Sequence, residues 1–272
     1  LYNHSESFEQ AIPRTESKVL VIPVCCNLAD PSSVDSLFHE QSFDVCIHTA
    51  ALSSPAICQQ DPEKAREVNA PQHFIQKLKA VEQVVALSTD QVFDGTTNTP
   101  YQEDIDAPNP LNVYGKTKLE MEGLLQDHPH CVILRSSIIL GPKAPFGGAH
   151  DTFLHFCATR QGQETTFFTN EYRSVVSVHH VCRVVDFMVT HAPTPSRVFH
   201  MGGPWRVNRL QMAQAVFDYM SFDSSVLIPA EQTAPTVPLD ISMNSSRLQE
   251  FTKLKHEPDT LQAMIEYTFR NI

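Results

Sequence analysis

Four short runs of apolar residues, rich in valine and isoleucine, lie in the first half of the chain. They cover Lys18–Cys25, Asp44–Ala51, Gln83–Asp90 and Cys131–Leu140. Hydrophobicity is nearly continuous within each run, which is typical of strands buried on both faces of a parallel sheet. The pattern therefore predicts four such strands.

Helical patterns separate these runs, at Pro31–Glu40, Asp61–Leu78 and Tyr114–Leu125. Asp61 followed by Pro62 is a typical helix start, with a capping residue and then proline in the first turn. Asn69 and Pro71 repeat that signal, so the second segment is predicted to be two helices end to end. Strands that alternate with helices indicate an α/β fold with a doubly wound, Rossmann-like parallel sheet.

In the second half of the chain, predicted strands and helices alternate less regularly than in the first. The pattern predicts a helix at Asp151–Gln161, an extended stretch at Thr165–Val178, a helix at His179–Ala192 and a strand at Val198–Met201. A further helix with one apolar stripe follows Asn208.

Asn208 and Gln211 have the spacing of a reciprocal capping box for that helix. We expect a domain built on the parallel sheet at residues 1–141 plus about 175–203. A small α+β lobe is expected at about 142–174 plus 204–272.

The composition narrows the class of protein. The 272 residues carry 20 basic and 31 acidic side chains, a net charge of -11, which argues against binding to nucleic acid or to anionic membranes. No stretch reaches the ~18 apolar residues that cross a bilayer. Seven scattered cysteines without a C-x-x-C pair predict neither a disulfide framework nor a metal site. We therefore expect a cytoplasmic protein.

The strongest chemical signal is a Tyr-x-x-x-Lys motif, Tyr114 to Lys118. Residues four apart share one face of a helix, so the Lys118 ammonium is expected to lower the pKa of the Tyr114 phenol. Such a phenol can act as a general acid or base toward a carbonyl or hydroxyl oxygen. Thr89, at the end of a predicted strand, can hydrogen-bond the same oxygen because ligands bind beyond the carboxyl ends of parallel strands.

These residues belong to longer blocks in which the chain resembles the extended short-chain dehydrogenase/reductases, and more narrowly the dTDP-4-dehydrorhamnose reductase branch. The regulatory beta subunits of methionine adenosyltransferase belong to the same branch. The blocks that carry the resemblance are STDQVFDG (Ser88–Gly95), NVYGKTKLE (Asn112–Glu120), ILRSSIILGP (Ile133–Pro142), HTAAL followed by Val68-Asn69, and DISMNSSRL (Asp240–Leu248).

The resemblance implies a role for particular residues. Thr89, Tyr114 and Lys118 would be the catalytic triad, with Asp90 as an accessory acid or substrate contact. NADP or NAD would be the cofactor, held by Asn27, Leu28, Ala50, Ala51, Leu52, Ser88, Tyr114, Lys118, Ser136, Ser137 and Ile138. The resemblance also implies that the sheet domain binds the dinucleotide and the smaller lobe the substrate. Candidates for substrate contact are Gln91, Arg173 and Trp205, and the guanidinium of Arg173 suits a substrate phosphate. For Arg173 an ion pair with Glu171 or Asp151 is an alternative, and for Trp205 packing in the core.

Two departures from the family pattern affect these expectations. The family opens with a strand and a glycine-rich turn that binds the pyrophosphate, whereas no glycine precedes Gly95 here. We therefore expect that the first strand, the turn and the first helix are missing, and that this chain binds a dinucleotide weakly. In addition, Gln91 stands where the reductases usually have tyrosine, which leaves the substrate open.

Three functions remain possible from the sequence. The first is an NAD(P)-dependent reductase that acts on a keto group of a sugar nucleotide or a related metabolite. The second is a non-catalytic regulatory subunit that binds the catalytic subunit of methionine adenosyltransferase. The third is a truncated chain that binds no dinucleotide. The intact Thr-Tyr-Lys set favours the first, whereas Gln91 and the absent glycine turn favour the others.

Overall fold

The computed structural model describes residues 20–97, 100–143, 152–191 and 198–270. The helices are α1 (Pro31–Glu40), α2 (Pro55–Gln60), α3 (Pro62–Asn69), α4 (Gln72–Lys77), α5 (Val113–Leu125), α6 (Phe153–Ala158), α7 (Val178–Thr190), α8 (Arg209–Met220), α9 (Ser246–Thr252) and α10 (Leu261–Phe269). The strands are β1 (Val45–His48), β2 (Gln83–Thr89), β3 (Cys131–Ser136), β4 (Ile139–Leu140), β5 (Thr165–Phe168), β6 (Tyr172–Arg173), β7 (Val176–Ser177), β8 (Val198–Met201), β9 (Val207–Asn208) and β10 (Leu227–Ala230).

The central sheet has four parallel strands in the order β1-β2-β3-β8. Thr89 at the end of β2 is level with Ser136 at the end of β3, and Ser136 is level with Met201 of β8. The carboxyl ends of three strands therefore lie side by side, at the edge where ligands bind in open α/β sheets.

Helices cover both faces of this sheet because successive side chains of β2 and β3 point to opposite sides. Val84, Ala86 and Ile133 pack in one apolar cluster with residues of α1, α4 and α5. Val85 and Leu134 pack in another, with residues of α7. Continuous apolar strands covered on both faces confirm the prediction of a doubly wound α/β fold.

The prediction of a strand at Lys18–Cys25 is wrong for the part that the structure describes. Residues 20–26 form no strand, and Leu20 and Ile22 are 81% and 64% exposed. The nearest strand, β1, lies at the edge of the sheet and pairs only with β2 in the described chain. In the described chain no strand pairs with this apolar run. Such a run forms a strand when a neighbouring strand pairs with it and buries it.

Other local predictions hold, with changes at the boundaries. The segment Asp61–Leu78 is two helices, α3 and α4, and Asp61 caps the first through the Lys64 amide. The Asn208–Gln211 capping box is present at α8. Sequence reasoning missed the short helices α2 and α9. The start of the predicted helix at 151 lies outside the described residues.

The second half of the chain has its own apolar cluster. It joins side chains of α6, β5, α8, β10 and α10, among them Leu154, Phe167, Phe217 and Ile265. We propose that this cluster is the core of the smaller lobe at about 142–174 plus 204–272. Its separation from the two clusters of the sheet supports that division.

Candidate active site

A cavity of about 530 Å³ lies at the carboxyl ends of β2 and β3. The Thr-Tyr-Lys set expected from the sequence lines this single cavity, as do most of the other candidates. The candidate residues found in its wall are Ala51, Ser88, Thr89, Asp90, Gln91, Tyr114, Lys118, Ser136, Ser137 and Ile138.

Thr89 is positioned by the end of β2. Its hydroxyl accepts a hydrogen bond from the Gln91 amide at 3.1 Å and donates to the Asp90 carboxylate at 3.2 Å. The turn that follows the strand is therefore capped by Thr89 itself. A fixed hydroxyl of this kind suits the task of binding a substrate oxygen.

Tyr114 is held in place by the start of α5. The Asn112 side chain caps this helix by accepting from the Gly115 amide at 2.9 Å. Gly115 allows the helix to lie directly against the end of β2, since a Cβ there would come within 2.1 Å of the Gln91 carbonyl oxygen. The close approach brings Tyr114 beside Thr89.

The pKa of the Tyr114 phenol differs from the expectation. Desolvation raises the pKa of the phenol to about 12, while hydrogen bonding with Thr89 lowers it in part. The expected lowering by Lys118 is absent, and the Lys118 ammonium lies 3.2 Å from the Met121 sulfur. Tyr114 is therefore a protonated phenol at neutral pH, the state required of a proton donor.

Lys118 is buried, and this burial lowers the pKa of its ammonium to about 8, against the opposing charge of Glu122. Glu122 lies one helical turn further along α5. Its carboxylate accepts two hydrogen bonds from Arg135 of β3, at 3.1 Å from Nε and 2.8 Å from Nη2, and another from the Ser88 hydroxyl. This buried cluster attaches the helix to the sheet directly below the cavity.

Asp90 occupies the floor of the cavity. It is buried, and the Ser137 hydroxyl donates to its carboxylate at 2.7 Å. Desolvation raises the pKa of Asp90, while Arg173 and the Ser137 hydrogen bond act in the opposite direction. Asp90 can therefore hold a proton more readily than an exposed carboxylate does.

Four of the candidate cofactor residues lie outside this cavity wall. The Asn27 side-chain oxygen accepts from the Ala29 amide at 3.1 Å, so a local turn uses the atom that was assigned to adenine. Leu28 and Ala50 line a separate cavity of about 230 Å³ next to β1. The Leu52 amide donates to the Asn69 side chain at 2.6 Å.

Two of the three candidate substrate residues also lie outside it. Arg173 is 1% exposed and donates to the carbonyls of Tyr172, Leu239 and Pro238, with Glu171 at 3.5 Å. The expected alternative for Arg173, an ion pair with Glu171, is the arrangement observed. The Trp205 indole donates to the Asp259 carbonyl at 3.0 Å and packs against the cluster of the smaller lobe.

Sequence reasoning missed eight residues of the cavity wall, namely Thr49, Ser53, Pro55, Leu87, Ile139, Thr152, Phe153 and Arg209. Arg209 is the first residue of α8, and its guanidinium lies 4.7 Å from the centre of the Phe153 ring. The available signal was its place directly after the Asn208 cap, because residues at a helix start often face a ligand.

The described ranges contain neither a metal-binding cluster nor a membrane-spanning helix. No group of three or more His, Cys, Asp or Glu side chains there is placed to hold a metal ion. None of the helices in those ranges has the length and apolar character to span a bilayer.

A doubly wound parallel sheet with threonine, tyrosine and lysine around one cavity at its carboxyl edge is the arrangement of Rossmann-type reductases and epimerases. The comparison with protein families identifies the branch. The chain belongs to the RmlD substrate binding domain family, which matches residues 6–266.

Individual relatives agree with this assignment. Methionine adenosyltransferase 2 subunit beta of Danio rerio is 31% identical over 234 residues, 82% of this chain and 72% of that protein. The structure of dTDP-4-dehydrorhamnose reductase from Yersinia enterocolitica has a TM-score of 0.78 at 20% identity and covers 95% of this chain and 92% of the other. The corresponding reductase from Bacillus anthracis, solved in complex with NADP, has a TM-score of 0.76 at 17% identity, with 90% and 87% covered.

Proposed function

We propose that the chain is an NAD(P)-dependent reductase of the dTDP-4-dehydrorhamnose reductase type. It would transfer a hydride to a keto carbon of a sugar nucleotide or a related metabolite. The observation that carries this proposal is the single cavity lined by Thr89, Asp90, Tyr114 and Lys118. A carbonyl in this cavity would meet a hydroxyl, a protonated phenol and an ammonium at once.

Each of these groups has a distinct task in the proposed reaction. Tyr114 gives its proton to the oxygen of the keto group as that oxygen gains negative charge, and Thr89 donates a hydrogen bond to the same oxygen. The Lys118 ammonium would bind ribose hydroxyls of the cofactor, because it lines the cavity without lowering the pKa of the phenol. The single Thr89 proton, which goes to Asp90 in the free protein, turns to the keto oxygen when the substrate binds, and Asp90, whose burial favours the protonated form, then donates to the Thr89 oxygen.

The residues around the cavity fit the nicotinamide and ribose end of a dinucleotide. Tyr114, Lys118 and Ser136–Ile138 share one wall. The Lys118 ammonium has no salt-bridge partner within the described chain, so it can donate to ribose hydroxyls. When bound, the cofactor supplies the hydride. The fit at the pyrophosphate end is poorer, since the chain holds no glycine before Gly95. NADP binding in the Bacillus anthracis relative supports NADP as the cofactor class.

The test is a spectrophotometric assay of NADPH oxidation with a panel of 4-keto sugar nucleotides. We expect turnover by the unmodified chain and a rate about 100-fold to 10,000-fold lower for Tyr114→Phe, because general acid catalysis contributes that much. Tyr101→Phe is the matched control, since this phenol donates to Asp94 in a separate hydrogen-bonded cluster. No turnover with any substrate of the panel would contradict the proposal.

A second candidate is a regulatory subunit that binds a catalytic methionine adenosyltransferase chain. It is favoured by the beta subunits, which are about 30% identical over 82% of this chain. Co-purification with that catalytic chain, together with absence of turnover, would select this function. We propose the cytoplasm as its site of action in either case, which is supported by the absence of disulfides between the described cysteines.

A further inference from the structure

Arg209 is a cation in the cavity wall whose orientation is fixed from two sides. Its Nε atom donates to the Glu171 carboxylate at 3.2 Å, and its guanidinium lies over the Phe153 ring at 4.7 Å. The backbone is fixed as well, because Asn208 caps α8 and pairs with Tyr172 in a short antiparallel ladder. A guanidinium held in this way needs little ordering when a ligand binds.

Among the described residues, the far end of the same guanidinium has no hydrogen-bond partner. Both Nη atoms of Arg209 make no hydrogen bond with any residue in the ranges that the structure describes. Arginine presents these N–H groups as a planar fork that matches two oxygens of a phosphate. The fork of Arg209 is thus preformed and available at the cavity.

The local charges favour an anion at this place. Glu171 is the only carboxylate paired with Arg209 in the described chain, and it also faces the buried Arg173 at 3.5 Å. The single Glu171 carboxylate is therefore shared by the guanidinium groups of Arg173 and Arg209. Asp90 shows an electrostatic interaction with both arginines, but its own burial favours the protonated form of that carboxyl. An excess of positive charge remains beside a cavity of a protein whose net charge is -11.

Arg173 is not available for the same task. Its guanidinium is buried outside the cavity wall, and three backbone carbonyls of Tyr172, Pro238 and Leu239 accept its hydrogen bonds. It fixes the segment around Pro238 and shares Glu171. The phosphate contact that the sequence suggested for Arg173 therefore falls to Arg209, 36 positions further along the chain.

We propose that Arg209 binds a phosphate of the nucleoside diphosphate portion of the substrate and so selects phosphorylated over uncharged ligands. The inference rests on the proposed reductase function and deepens it, since it assigns the substrate's charged group to a particular side chain. The fork binds two phosphate oxygens, Phe153 keeps its plane fixed and Glu171 prevents it from swinging out of the cavity.

The experiment is calorimetric titration of the full chain with dTDP, with thymidine and with inorganic phosphate, at low and at moderate salt. We expect dTDP to bind Arg209→Gln about tenfold to about a hundredfold more weakly than the unmodified chain, because a hydrogen-bonded charge contributes that much. Thymidine affinity should be unchanged. Arg209→Lys should restore part of the loss, since it keeps the charge but not the fork.

Arg206→Gln is the matched control. Arg206 lies three residues before Arg209, pairs with Asp240 at 2.7 Å and stacks over Tyr172 at 3.4 Å, and it lies outside the cavity wall. The same loss of charge there should leave dTDP affinity unchanged. Circular dichroism of each variant verifies that the fold is retained.

Equal affinity of dTDP for the unmodified chain and Arg209→Gln would overturn the proposal while leaving the reductase function intact. An equal loss of NADPH and dTDP binding would also overturn it, because Arg209 would then be a cofactor residue. A selective loss of dTDP binding without turnover of any 4-keto sugar nucleotide would support the anion site and count against the reductase function.

Discussion

The Tyr114 phenol and the Lys118 ammonium share one helix face but have different surroundings. Tyr114 lies against Thr89, whereas the Lys118 ammonium is directed toward Met121 and the Glu122–Arg135 pair. Desolvation raises the pKa of the phenol to about 12 and lowers that of the ammonium to about 8. The two pKa values therefore move apart, and Lys118 is the group whose charge changes near physiological pH.

A pH dependence follows from the Lys118 pKa of about 8. Below that pH the ammonium is charged and donates the stronger hydrogen bonds to ribose hydroxyls of the cofactor, and as pH rises through about 8 the charge is lost. We expect kcat/KM for the keto substrate to fall above pH 8, since this parameter reports the free enzyme. The measurement is a pH–rate profile between pH 6 and about pH 10, within the range where the phenol stays protonated.

Lys118→Arg is the control for this profile, because a guanidinium stays charged throughout the range. Its kcat/KM should be lower than that of the unmodified chain but should lose the descending limb near pH 8. A descending limb that persists in Lys118→Arg would assign the titration to another group.

Part of the site could be predicted at the scale of residues, and part could not. Thr89, Tyr114 and Lys118 follow from local rules, namely the helical spacing of four and the carboxyl ends of strands. Arg209 and Phe153 meet only because α8 packs beside α6, which no short-range pattern shows. The burial of Arg173 depends likewise on the segment near Pro238, 65 positions away.

At the scale of elements, helix α5 carries the site and two of its glycines differ in their surroundings. A Cβ at Gly115 would come within 2.1 Å of the Gln91 carbonyl oxygen, whereas a Cβ at Gly123 would meet nothing within 4 Å. Gly115→Ala should therefore lower the free energy of unfolding by about 1–3 kcal/mol through overpacking. It should also impair activity, since the helix start must move away from Thr89.

Gly123→Ala is the matched variant in the same helix. It should raise the free energy of unfolding by up to about 1 kcal/mol, because alanine is the better helix former. Urea denaturation followed by circular dichroism measures both effects. Equal effects of the two substitutions would show that α5 does not lie against the end of β2 as described.

The buried pair of Glu122 and Arg135 joins α5 to β3, with both side chains 6% exposed. Glu122→Leu alone should destabilise the protein by about 3–5 kcal/mol, because it leaves the Arg135 charge buried without its partner. The double variant Glu122→Leu with Arg135→Met should recover most of that loss, since no buried charge remains. Chemical denaturation of both variants tests this, and a double variant as unstable as the single one would refute it.

At the scale of the whole molecule, the first predicted strand is the main difference between expectation and structure. The apolar pattern of Lys18–Cys25 equals that of the other runs, but a strand also needs a neighbour, and only β2 pairs with β1 in the described chain. The parallel sense of the sheet and its two helical layers could be predicted because they depend on alternation and connection rules. Strand pairing at the edge could not.

The position of β1 at the edge of the sheet favours self-association of the protein. Ile47 of this strand is 49% exposed, and exposed apolar edge strands promote pairing between chains. We expect Ile47→Lys to reduce self-association in light scattering at high protein concentration, without a loss of thermal stability. Ile105→Lys is the control, since Ile105 is 72% exposed in a turn that is not part of β1. If both substitutions reduced self-association equally, the reduction would come from the change in net charge and not from the edge of β1.

The most direct test of the proposed reductase function follows a hydrogen isotope through the reaction. The unmodified chain is incubated with NADPH deuterated at the transferable position of the nicotinamide and a dTDP-linked 4-keto sugar, and the product is analysed by mass spectrometry. The account predicts a product that is one mass unit heavier than the one formed from ordinary NADPH, and almost none of it with Tyr114→Phe. A product without the added deuterium, or equal labelling by both proteins, would contradict it.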